Sequence, residues 1–116
     1  MRHHNKNRKL GREKGQRTAL LRSLARSLIM KEGITTTEAK AKALRPFVER
    51  LVSLSKKDTL AGRRATFKHL GSNEMGKKLS ELSTRYEKRA GGYTRIVRLG
   101  RVGKRVGEMA RIEFLK

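Results

Sequence analysis

Adjacent His3 and His4 are the first residues in this chain that could do chemistry, since paired imidazoles can ligate a metal. No further ligand stands near them, and phosphate contact is the better use for two polar residues in so basic a stretch. His69 is solitary and reads as a surface or boundary residue. The carboxylates occur singly, each within a few residues of Lys or Arg, which is local charge balancing rather than a general acid and base. Gly100, Gly103 and Gly107 have the spacing G-x-x-G-x-x-x-G, which matches neither the dinucleotide fingerprint nor the P-loop. The residues therefore point away from an enzyme and imply no cofactor, metal or small-molecule substrate.

Positive charge is the chemistry that remains. Lys and Arg number 31 against 10 Asp and Glu, a net +21 in 116 residues. A compact chain so charged repels itself until a polyanion neutralises it, and nucleic acid is the commonest polyanion. An anionic membrane is the competitor, but a membrane-surface helix sets Lys and Arg opposite a face of Trp, Phe and Leu. Here there is no Trp, only three Phe, and the basic residues run from end to end. The longest apolar runs are three residues, Ala19–Leu21 and Leu28–Met30, too short for a membrane span or a signal peptide. With no cysteine, disulfides and Cys-ligated zinc are excluded, which suits a reducing compartment. The expectation is a cytoplasmic protein.

These cations must be positioned by something, and the first segment offers little. Residues 1–17 hold seven Lys/Arg, with Met1 and Leu10 as the only sizeable apolar residues. They are expected to form a disordered basic arm whose Arg2, Lys6, Arg8, Lys9, Arg12, Lys14 and Arg17 lie along nucleic acid, with His3 and His4. From Thr18 to Glu32, Leu21, Leu24, Ala25 and Leu28 follow helical spacing, and Gly33 is expected as the terminating C′ glycine. Arg22 and Arg26 sit beside that stripe and continue the basic surface. Ile34–Thr37 suits a strand.

A second helix is expected over Glu38–Lys57, capped by Thr36 or Thr37, with Leu44, Phe47, Val48 and Leu51 inward and a kink at Pro46. Asp58 is expected to cap a third helix that reaches Leu70 and carries Arg63 and Arg64. The fourth spans about Glu74–Tyr86, with Met75, Leu79, Leu82 and Tyr86 on one stripe. Gly91-Gly92 ends the helical pattern. Residues 93–99 and 109–115 read as strands, the second with Ala110, Ile112 and Phe114 on one face, and Arg101, Lys104 and Arg105 lie in the hairpin loop between them. Tyr93, beside Gly91-Gly92 and Arg95, is the aromatic expected to be open to a base or sugar, with core packing as its equal alternative. The whole predicts one α+β domain over 18–116: a two-layer α/β arrangement of about four helices on a small three-stranded mixed sheet. Helix-turn-helix DNA binding is disfavoured, because a strand signal replaces the short turn and the charge is not gathered on one helix. A free RNA chaperone would use the same residues.

Several strings are more specific. MRH at the start, RKLGR at 8–12, ITTTEAKAKALR at 34–45 and RAGGYTRI at 89–96 closely resemble the family of the seventeenth protein of the bacterial large ribosomal subunit, over essentially the whole chain. The resemblance implies a ribonucleoprotein component in translation, bound to large-subunit rRNA beside other ribosomal proteins near the outlet of the peptide exit tunnel. It implies RNA contacts at Arg2, His3, Arg8, Lys9, Arg12 and Arg17, and at Thr36, Thr37, Lys40 and Lys42. It further implies contacts at Arg63 and Arg64, and at Gly91, Gly92, Tyr93, Thr94 and Arg95 next to Arg89. One departure stands out: family members often carry an Arg-Arg-Gly-Asp-type turn where this chain has Gly103-Lys104-Arg105-Val106-Gly107, keeping the basic residues and losing the Asp.

Overall fold

A computed structural model describes residues 13–57, 59–103 and 107–116. Helix α1 spans Lys14–Lys31, four residues longer at its start than the apolar stripe predicts. Arg17 N–H donates to the Glu13 carbonyl (2.8 Å) and the Thr18 hydroxyl to the Lys14 carbonyl (2.9 Å). Lys, Gln and Arg are good helix formers, and extending a helix is far easier than nucleating one, so the turn forms without burying anything. Residues 14–17 thus belong to the domain, while 1–12 lie outside the described residues.

The expected Gly33 cap is also corrected. Glu32 takes the left-handed conformation (φ 62°), its N–H closing onto the Leu28 carbonyl at 2.7 Å, and Gly33 is already in strand β1 (Gly33–Thr37). A side chain there costs roughly 1–2 kcal/mol. Glu32 is held by tertiary contacts: its carbonyl accepts from Phe114 N–H (2.9 Å) and its carboxylate from Arg85 (2.6 Å).

Helix α2 (Glu38–Lys56) is capped by Thr37, whose hydroxyl accepts from Lys40 N–H at 3.3 Å. It runs continuously through Pro46. Helix α3 (Leu60–Leu70) is capped by Thr59, not Asp58: the Thr59 hydroxyl accepts from Gly62 N–H at 3.0 Å, and Asp58 lies outside the described residues. Helix α4 (Asn73–Ser83) runs into a 3₁₀ turn at Thr84–Tyr86. Strands β2 (Thr94–Gly100) and β3 (Met109–Phe114) complete a sheet in the order β1-β3-β2.

That sheet is wholly antiparallel, not mixed. Strands β1 and β2 run the same way, but β3 inserts between them, so their shared direction never becomes parallel pairing. Alternation along β3 sends Ala110, Ile112 and Phe114 inward against the helices. Helix α2 is the hub, touching α1, α3, α4 and all three strands. Its Leu44, Val48, Leu51 and Val52 meet Leu28 and Ile29 of α1, Leu70 of α3, and Leu79 and Leu82 of α4 in one core.

The α2–α3 crossing is tightest at Gly62. A Cβ there would stand 2.8 Å from the Leu54 carbonyl oxygen and 3.1 Å from the Thr59 hydroxyl. The neighbour is backbone and cannot swing away. Gly62→Ala is expected to lower stability by about 1–3 kcal/mol, despite the better helix propensity of Ala, read as a lower urea midpoint at unchanged slope.

Candidate nucleic-acid interface

Four carboxylates absorb much of the positive charge on the sheet side of the molecule. Glu32 lies between Arg85 (2.6 Å) and Lys78 (3.7 Å), and Glu38 between Lys42 (2.9 Å) and Arg98 (3.2 Å). Glu49 faces Arg45 (3.5 Å) and accepts from the Thr94 hydroxyl (3.1 Å). On the outer sheet face, Glu113 accepts from Arg95 (2.7 Å) and Arg111 (3.2 Å). The Arg85 hydrogen bond holds the Glu32 carboxyl below the usual carboxylate range, against the opposing effect of burial. Arg95, then Arg111, does the same for Glu113.

A second group of cations has no such compensation. Arg22 and Arg26 of α1, Arg50 of α2, and Lys68 and His69 of α3 converge around the end of α3. Arg26 Nη1 donates to the Leu70 carbonyl at 3.3 Å, and the Phe47 and His69 rings meet edge to face at 5.4 Å. Among the described residues no carboxylate pairs with Arg22, Arg26, Arg50 or Lys68. Burial first, then Arg22, Lys68 and Arg50, pushes the His69 pKa below the usual histidine range. Arg22 Nε and His69 Nδ1 are buried without a hydrogen-bond partner among the described residues. Such a buried polar atom costs about 1–3 kcal/mol until something satisfies it. The arrangement can receive an anion.

The other expected contacts divide sharply. Lys14, Lys40, Arg63, Arg64, Arg89, Arg95 and Arg101 carry exposed or half-exposed side chains, as do Arg17 and Lys42. Arg2 to Arg12, with His3 and His4, and Lys104 and Arg105 fall outside the described residues. Thr36 and Thr94 are buried, and Thr37 is the cap of α2.

Of the two readings of Tyr93, the structure takes core packing. It is 1% exposed, with no ring face open to a base. Its hydroxyl accepts from Lys56 (3.1 Å), donates to the Arg89 carbonyl (3.3 Å) and shares a bond with Ser53 (3.3 Å). The Ser53 bond, with help from Lys56, draws the phenol pKa down against burial. The Lys56 ammonium also lies 5.0 Å over the ring and donates to the Arg89 carbonyl. Gly92, at φ 66°, makes the turn that delivers the ring inward while Gly91 stays exposed.

Arg50 and Lys68 were not legible as interface residues, because each joins Arg22 only through the packing of three separate helices. Among the described residues no helix is long and apolar enough to cross a membrane, and no cluster of three His, Cys, Asp or Glu could hold a metal.

The family model described as "Ribosomal protein L17" matches residues 20–115. The chain belongs to the ribosomal protein L17 family. "Large ribosomal subunit protein bL17" of Hydrogenobaculum sp. (strain Y04AAS1) is 52% identical, with all of both chains aligned. The protein of the same name from Gemmatimonas aurantiaca is 50% identical over 99% of this chain and 98% of its own. That of Salinibacter ruber is 48% identical over 99% of this chain, which spans only 59% of the longer relative. The L17 relatives are named as ribosomal proteins, a structural and non-enzymatic family.

Proposed function

We propose that this protein is a structural constituent of the large ribosomal subunit, in the cytoplasm, and that it binds large-subunit rRNA beside neighbouring ribosomal proteins near the peptide exit tunnel outlet. The observation that carries the rRNA reading is the uncompensated cluster of Arg22, Arg26, Arg50 and Lys68 around His69, in a chain of +21 within the L17 family. Phosphate oxygens would pair with the Arg26, Arg50 and Lys68 head groups and exchange condensed counterions for fixed charge. Residues 1–12 add five more Lys and Arg to the supply of cations, and the exposed Arg63, Arg64 and Arg101 broaden the surface. Contacts of this kind position the protein on folded RNA and read no sequence by themselves.

The test is sedimentation of a cell lysate on sucrose gradients in low and in high salt. The expected result is comigration with large subunits that survives the high-salt wash. Recovery in the nucleoid or in the free pool would overturn the proposal.

A further inference from the structure

The end of α2, helix α3 and the start of α4 enclose a cleft of about 450 Å³ on a part of the surface distinct from the His69 cluster. That volume is within the range of roughly 300–1,000 Å³ typical of small-molecule sites. Phe67, Arg63 and Lys77 line it, with Leu54, Ser55 and Asn73. Among the described residues no carboxylate lines it.

Phe67 is the anomaly. Phe114 is buried and Phe47 packs against the core, but Phe67 is 49% exposed on a highly charged protein. An exposed phenyl beside cations in a cleft is the arrangement that takes the face of an unstacked base. Gly76 is the second oddity. It sits inside α4, where glycine costs about 1 kcal/mol relative to Ala. It lines the cleft, and nothing lies within 4 Å of where its Cβ would stand. Packing does not require a glycine there, but a side chain would project into the open space.

Resting on the reading that this chain binds rRNA, we propose that the cleft receives a single unpaired nucleotide, its base against the Phe67 ring and its phosphate toward Arg63 and Lys77. The hydroxyl of Ser55 and the amide of Asn73 offer hydrogen bonds to base or sugar edges. An acidic protein segment would also suit the cations but would not need a flat aromatic face.

Full-length wild type, Phe67→Ala, Phe67→Tyr and Gly76→Leu are compared in binding to a large-subunit rRNA transcript. The isotope-labelled proteins are also titrated with adenosine 5′-monophosphate and with inorganic phosphate, followed by amide resonances. Gly76→Leu fills the cleft while improving helix propensity, and its urea midpoint, measured alongside, is expected to stay at or above the wild-type value. Phe67→Ala and Gly76→Leu are expected to bind rRNA about five- to 150-fold more weakly, the loss of one stacked base, and Phe67→Tyr to bind like wild type. The mononucleotide should shift resonances around Phe67 and Asn73–Lys77 in wild type and not in Gly76→Leu, whereas inorganic phosphate should leave Phe67 unmoved.

Identical shifts with both probes would reduce the cleft to a site for phosphate alone and overturn the proposal. Unchanged rRNA affinity in Gly76→Leu would overturn it too, leaving rRNA binding intact if Arg22→Gln still weakens the complex. If the cleft variants keep full rRNA affinity yet are lost from assembled subunits, the occupant is a protein neighbour and the nucleotide proposal fails. If wild type itself does not bind the transcript, the rRNA reading fails with it.

Discussion

Tyr93→Ala is expected to cost about 3–5 kcal/mol, a large share of the 5–15 kcal/mol that holds a typical domain folded. The ring is 1% exposed, 5.2 Å from the Tyr86 ring, and its removal leaves a cavity where β2 begins. The same change deprives Lys56 and Ser53 of the hydroxyl they share. Because the backbone N–H of Leu115 donates to the Tyr93 carbonyl at 3.0 Å, the closure of the sheet against the final strand is disturbed as well. Urea unfolding followed by circular dichroism measures the loss. The rRNA affinity per folded molecule is expected to stay at the wild-type value. A variant with an unchanged urea midpoint but weakened rRNA binding would return Tyr93 to the interface.

The contrast between Tyr93 and Phe67 shows what periodicity can and cannot reveal. Leu44, Val48 and Leu51 on α2, Met75, Leu79 and Leu82 on α4, and Ala110, Ile112 and Phe114 on β3 were legible as core, because each repeats at the period of its element and all are buried. Tyr93 follows two glycines, where no period exists to assign it a face, and its neighbours Arg89 and Arg95 suggest an RNA contact. Only the left-handed turn at Gly92 decides that the ring goes inward.

The end of α1 was misread for a related reason. Gly33 carries the local signal for a cap, but Glu32 takes that conformation because Arg85 and the chain at Phe114 hold it there. Charge was legible in amount and not in distribution. Arg22 was legible as part of a basic surface beside the α1 stripe, but nothing in the sequence joins it to Arg50 or Lys68 on other helices. Their meeting at His69 is a product of how three helices cross. The mixed sheet failed similarly, since strand existence is local while pairing order is set by where β3 inserts.

The same division between local and tertiary signals fixes where the arm can be cut. Removing residues 1–17 would take away Lys14–Arg17, the first turn of α1, and confuse a loss of binding with a loss of helix. Removing residues 1–12 deletes Arg2, Lys6, Arg8, Lys9 and Arg12 and leaves α1 whole. Every buried residue among the described ones lies between Gly33 and Phe114 or on α1 from Ala25 onward, so ellipticity at 222 nm and the urea midpoint are expected to remain near wild type. Binding of rRNA is expected to change greatly. If each of the five cations occupies one phosphate, the slope of log affinity against log salt falls by roughly 3.5 to 4.5. Between 50 and 200 mM salt the full-length protein would then lose on the order of 10²-fold more affinity than the truncated one. Filter binding across that range reads both quantities. A truncated protein that melts early would place the arm within the fold, and one that keeps the full salt slope would remove residues 1–12 from the RNA surface and leave Arg22, Arg26, Arg50 and Lys68 to carry the contact.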